Sequence, residues 1–150
     1  MRYLGLMSAI VLAQGWGIDA IASLYMPNYL DVWKIYFWWL SVIVLPIFET
    51  LVFQALGCWV LDLFGVPRLL TLFITALVFG LAHYLNQSQW IDTFSAGVTG
   101  FIFSWMYLRR LREGRPWQGC AEVAFVHIVN NGIAYIYLTL FAPETILFVS

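Results

Sequence analysis

Four side chains in this sequence carry chemistry that a lipid-facing helix does not need. Glu49, His83, His127 and Asn131 each interrupt a long apolar stretch, and the two histidines are the only ones in the chain. Ionisable groups within hydrocarbon are costly and turn toward the protein interior or a wet cavity. Together these residue types support hydrolysis. A buried carboxylate takes a proton from water, imidazoles hold that water or bind a metal, and an amide NH2 donates to an oxyanion. The plainer alternative is a set of satisfied polar groups that hold helices together.

To act together, the four must be carried to one depth by different helices. A span needs roughly 20 apolar residues at a rise of about 1.5 Å each. Five stretches qualify: about 4–25, 33–64, 68–85, 91–111 and 118–141. Pro27 and Asn28, Gly65 to Pro67, Asn86 to Gln89 and Gly114 to Pro116 separate them with turn chemistry. The first stretch opens like a signal peptide but runs on to Tyr25, which reads as a span. Composition agrees, since 63% of residues are hydrophobic and only 10% charged, against about 25% charged in soluble domains. The expectation is an all-α, polytopic membrane helix bundle of about five transmembrane helices, a single transmembrane domain over 1–150. Its solvent is the lipid bilayer, and a net charge of −1 gives no reason to expect nucleic acid. Cys58 and Cys120 form neither a disulfide framework nor a zinc motif.

As one straight helix the second stretch would reach roughly 48 Å. Pro46 lies inside it and predicts a kink. Its start, Trp33 to Leu40, reads as partly interfacial because aromatic rings favour the headgroup level. Arg2, Arg68, Arg109, Arg110, Arg112 and Arg115 fall on one side of a five-span chain and Lys34 on the other. That bias predicts a cytoplasmic N-terminus and an outside C-terminus. Ala96, Gly100 and Ser104, with Ala76 and Gly80, predict close helix packing in the fourth and third spans.

Counted from the cytoplasmic ends, Glu49 and His83 lie roughly 22 Å deep and His127 roughly 13 Å, with Asn131 one turn deeper. Asp31, Asp92, Glu113 and Glu144 sit at or beyond span ends. Asp62 and Glu122 read as interfacial, and Asp19 stays undecided.

The sequence around the four residues resembles a known family. Pro46-Ile-Phe-Glu49-Thr50-Leu-Val-Phe53-Gln54 is similar to the first motif of the CAAX-processing and bacteriocin-processing (CPBP, or Abi) intramembrane proteases, a pair of glutamates followed by three residues and then an arginine. Phe79-Gly-Leu-Ala-His83 is similar to the second motif and His127-Ile-Val-Asn-Asn131 to the third, all in the family's order over about 42–135. The resemblance implies an intramembrane endopeptidase with Glu49 as general base and His83, His127 and Asn131 completing the site. It also implies a peptide or membrane-protein substrate, and a setting in the bacterial inner membrane.

The family is classed among metalloproteases. Glu49, His83 and His127 could hold zinc or another divalent metal with an open position. A metal-free, glutamate-driven site is the other option. Thr50 and Gln54 depart from the motif, replacing its second glutamate and its arginine. Four apart on a helix, they would form a neutral hydrogen-bonding pair in place of a charged one. The same departures leave open a second function, a catalytically silent family member acting as a membrane scaffold or partner subunit. Bis-histidine haem binding through His83 and His127 would leave Glu49 and Asn131 unexplained. The absence of an internal repeat argues against a transporter.

Overall fold

The computed structural model describes Met7, residues 39–87 and residues 90–141. Among these residues every regular element is helical. Four helices follow one another: α1 (Leu40–Leu63), α2 (Arg68–Gln87), α3 (Trp90–Arg112) and α4 (Pro116–Phe141). They answer to the second through fifth expected spans. The first, 4–25, lies outside the described residues apart from Met7, as do Asp19, Asp31, Lys34 and Glu144.

The molecule is an all-α membrane helix bundle, and its surface shows why lipid suits it. Phe48, Leu63, Leu69, Phe73, Leu77 and Phe94 are exposed, whereas Thr50, Gln54, Thr71, Thr75, Ser104 and His127 are buried. By length and composition α1 is able to cross a bilayer, and Arg68–Tyr84 is a shorter apolar segment.

Pro46 does not interrupt α1. The helix absorbs it by changing pitch: Leu40–Val44 and Thr50–Leu56 are π-helical, and Leu45–Glu49 and Gly57–Leu63 are α-helical. A proline has no N–H to give, and in a regular α-helix its ring would press on the carbonyl four residues back. The wider register shifts the bonding by one residue, with the Leu45 N–H donating to the Leu40 carbonyl. Glu49 stands at the junction with the second π-helical segment, the kind of irregularity that often marks a functional site.

One turn design is used twice. After α1, the Gly65 N–H donates to Asp62 and that of Val66 to Leu61, both at 3.0 Å. After α3, Gly114 donates to Leu111 at 3.0 Å and Arg115 to Arg110 at 2.9 Å. Both are Schellman closures, and their glycines hold φ of 66° and 71°, a region that costs other residues a Cβ clash. A proline follows two residues later in each case, stopping one helix and admitting the next.

At the Gly114 end, Arg110 locks α3 to α4. Its guanidinium donates to both Glu122 carboxylate oxygens, at 2.9 and 2.7 Å, and to Glu113 at 2.6 Å. Gln118 adds a bond to Glu122 at 3.0 Å. Glu122 is a buried, paired group; the reach of Arg110 from α3 was not visible in the chain's order. Asp62 is exposed, in keeping with its expected place at a span end.

Small residues do pack the helices, with adjusted partners. A Cβ on Gly80 would lie 2.7 Å from the Thr93 carbonyl oxygen and 3.2 Å from the Gly97 Cα, and one on Gly100 would lie 2.9 Å from the Phe79 ring. The main buried cluster joins Met7, Cys58, Leu72, Phe103, Met106, Tyr107, Val123 and Val126. It fills the bundle on the Arg110 side of the polar residues.

Candidate active site

Glu49 leaves α1 at the pitch change and meets His127 from α4. Glu49 Oε2 lies 3.4 Å from His127 Nε2, and the two side chains are 22% and 5% exposed. A direct N–H···O bond is usually about 2.7–3.2 Å. Longer contacts are common in catalytic pairs before substrate tightens them. The levels of the two residues thus coincide more closely than counting suggested. Part of the reason is that α4 begins at Pro116, and part is that the π-helical turns after Glu49 shorten the rise per residue.

His83 approaches from α2. Its Nδ1–H donates to the Phe79 carbonyl at 3.0 Å. A carbonyl accepts only, so this bond puts the proton on Nδ1 and leaves Nε2 as the acceptor in the neutral ring. His83 lies within electrostatic reach of both Glu49 and His127.

Phe79 organises the interior between the histidines. Its ring centroid lies 4.6 Å from that of His83 and 6.0 Å from that of His127, and 5.4 Å from Phe53 in an edge-on contact. Phe103 also packs against His127, at 4.8 Å between centroids, and lies 6.4 Å from Phe79. Phe79 and Phe103 are fully buried, so both imidazoles are held by packing. The sequence marked Phe79 only as part of a motif. Phe53 fell among the unspecified positions of the first motif, and Phe103 had no signal beyond being apolar.

Asn131 sits one turn beyond His127 on α4. Its Nδ2 donates to the Ser41 carbonyl of α1 at 3.1 Å, and its Oδ1 accepts a weak bond from Asn130 at 3.5 Å. Ser41 was invisible to sequence reasoning, because the group involved is main chain.

Thr50 and Gln54 are buried at 1% and 0% exposure, but they do not form the expected hydrogen-bonded pair. Among the described residues, neither the Thr50 hydroxyl nor the Gln54 amide atoms have a hydrogen-bond partner, nor does His127 Nδ1. Cβ atoms four apart on a helix are about 5–6 Å apart. A short threonine therefore needs the glutamine to fold back along α1, and the two buried side chains do not meet.

Among the described residues, no group of three His, Cys, Asp or Glu side chains is arranged to hold a metal ion. Glu49, His83 and His127 do not form such a group. His83 Nδ1 is committed to the main chain, which leaves its Nε2 free, as in imidazoles that bind a metal or hold a water.

Residues 31–133 match the type II CAAX prenyl endopeptidase Rce1-like family. The chain belongs to that family. No curated protein and no solved structure matches it. As a family member it is a CAAX-type intramembrane protease, an integral membrane protein whose substrate class is peptide or protein. The matched region holds all three motifs and ends two residues past Asn131.

Proposed function

We propose that this chain is an intramembrane endopeptidase in which Glu49 activates water against a peptide bond. The supporting observation is the approach of Glu49 to His127 from two different helices, at 3.4 Å, inside a bundle whose outer face is apolar. In this reading the Glu49 carboxylate takes a proton from water, and the oxygen attacks the scissile carbonyl carbon. The oxyanion that forms is met by N–H donors from His127 and from the second N–H of Asn131. As the C–N bond breaks, the proton held by Glu49 passes to the leaving amine. His83, with Nε2 free to accept, orients the water. The arginines of the turn after α3 support a cytoplasmic side there. The N-terminus then lies in the cytoplasm and the C-terminus outside, in a bacterial inner membrane.

Glu49→Gln and His127→Ala are each expected to lower cleavage by about 10²–10⁴-fold, the usual reach of acid–base catalysis, while the protein still folds. Full cleavage by folded Glu49→Gln would overturn the reading. The second reading, a silent scaffold or partner subunit, is favoured by the unpartnered Thr50 and Gln54 at the altered motif positions. Its signature is a stoichiometric partner on purification and a Glu49→Gln strain indistinguishable from wild type.

A further inference from the structure

The Asn131 bond to Ser41 joins residues 90 positions apart, and its acceptor is a backbone carbonyl inside a helix. A carbonyl within a helix is normally bonded by the N–H four or five residues on, so this one calls for a reason.

Pro46 supplies it. In α-helical register the Ser41 carbonyl would receive the Leu45 N–H, and Pro46 would leave Val42 bare. Here the Leu45 N–H goes to Leu40 instead, five residues back. In that register the donor due to Ser41 is the N–H of residue 46, which proline lacks. The π-helical turn therefore moves the orphaned carbonyl from Val42 to Ser41. A bare carbonyl is costly in a membrane interior. Asn131 Nδ2 lies 3.1 Å from it. Next door, Val42 is buried and would lie 3.6 Å from a Cβ on Gly132. The start of α1 and this part of α4 are thus in continuous contact.

We propose that Asn131 is a positioning residue: its Nδ2 replaces the N–H that Pro46 lacks and fixes α1 against α4 in the register that brings Glu49 to His127. Ser41 lies two turns from Glu49 along α1, and Asn131 one turn from His127 along α4. The tie and the candidate catalytic contact are two points on one helix pair. A slip of one residue would move Glu49 by about 1.5 Å along the axis, and misplacement of that order costs about a hundredfold in rate. The tie itself needs no chemistry at Glu49; only its service to catalysis rests on the reading above.

Ser41–Val42 is the only Ser-Val step in the chain. Labelling serine with 13C at the carbonyl and valine with 15N therefore isolates the Ser41 carbonyl in solid-state NMR of the whole chain in lipid. Asn131→Leu keeps the bulk and removes the donor, and Asn131→Ala serves if the leucine variant does not fold. Each is compared with Pro46 in place and with Pro46→Ala, which restores an N–H so that Ser41 regains a donor in either register. The expected result is an upfield move of the Ser41 carbonyl on loss of Asn131 when Pro46 is present, and a much smaller one with Pro46→Ala. Rescue of folding by Pro46→Ala in a variant that otherwise does not fold is the same result in another form. An unmoved signal in the Pro46 background, an equal move in both backgrounds, or failure to fold in both overturns the proposal. Glu49→Gln is expected to leave the signal in place, so loss of the tie and loss of the catalytic reading are told apart.

Discussion

Thr50 and Gln54 stand beside the residue proposed to do the chemistry, yet they bury three polar atoms without partners among the described residues. An unsatisfied buried polar group costs about 1–3 kcal/mol, while an apolar replacement of similar shape removes that cost. Gln54→Leu is therefore expected to raise stability by about 1 kcal/mol, seen as a higher unfolding temperature in detergent. A lower one would mean that the amide has a partner of consequence. The sequence marked both positions as departures from a motif, because motif spacing is readable in one dimension. It misjudged how they relate, because the pairing depends on rotamers set by the surrounding helices. Asn131 shows the same limit: its place one turn from His127 was legible, but its bond to a main-chain oxygen 90 residues away was not.

Among the elements, the contact of α2 with α3 sets the histidines through Phe79. Gly100→Ala would place a Cβ 2.9 Å from the Phe79 ring. The ring is buried among His83, His127, Phe53 and Phe103, so it has little room to yield. Overpacking of this kind costs about 1–3 kcal/mol. The substitution is expected to lower both the unfolding temperature and cleavage. Gly97→Ala, whose Cβ would meet only the Ala76 carbonyl at 3.6 Å, is the mild control. Equal effects from the two would contradict a role for Phe79 in holding the imidazoles. Helix positions themselves were well marked in sequence, since apolar runs end at Gly-Val-Pro and Gly-Arg-Pro turns. The pitch changes of α1 were not. Pro46 announces a disturbance, but that it takes the form of π-helical turns depends on what α4 offers across the gap.

At the scale of the molecule, lipid exposure and interior polarity are inverted relative to a soluble protein. This much composition already required, and the family match over residues 31–133 agrees with it. Direction is the remaining feature. The turns after α1 and α3 share one end of the bundle, with Arg68 at one and Arg112 and Arg115 at the other. If basic residues stay inside, a cysteine at Arg115 is expected to react with a membrane-impermeant thiol reagent only after the membrane is opened. A cysteine at Trp90, at the opposite end, reacts in closed vesicles of right-side-out orientation. The reverse pattern would invert the topology while leaving the fold intact.

The central claim is that the Glu49 carboxylate, held against His127, drives peptide-bond cleavage. Its most direct test is mass-spectrometric comparison of new peptide termini in membranes exposed to the wild-type protein or to folded Glu49→Gln. The account predicts a set of termini that wild type generates and Glu49→Gln does not, with the uncut parent proteins accumulating. Identical termini from the two proteins would contradict it.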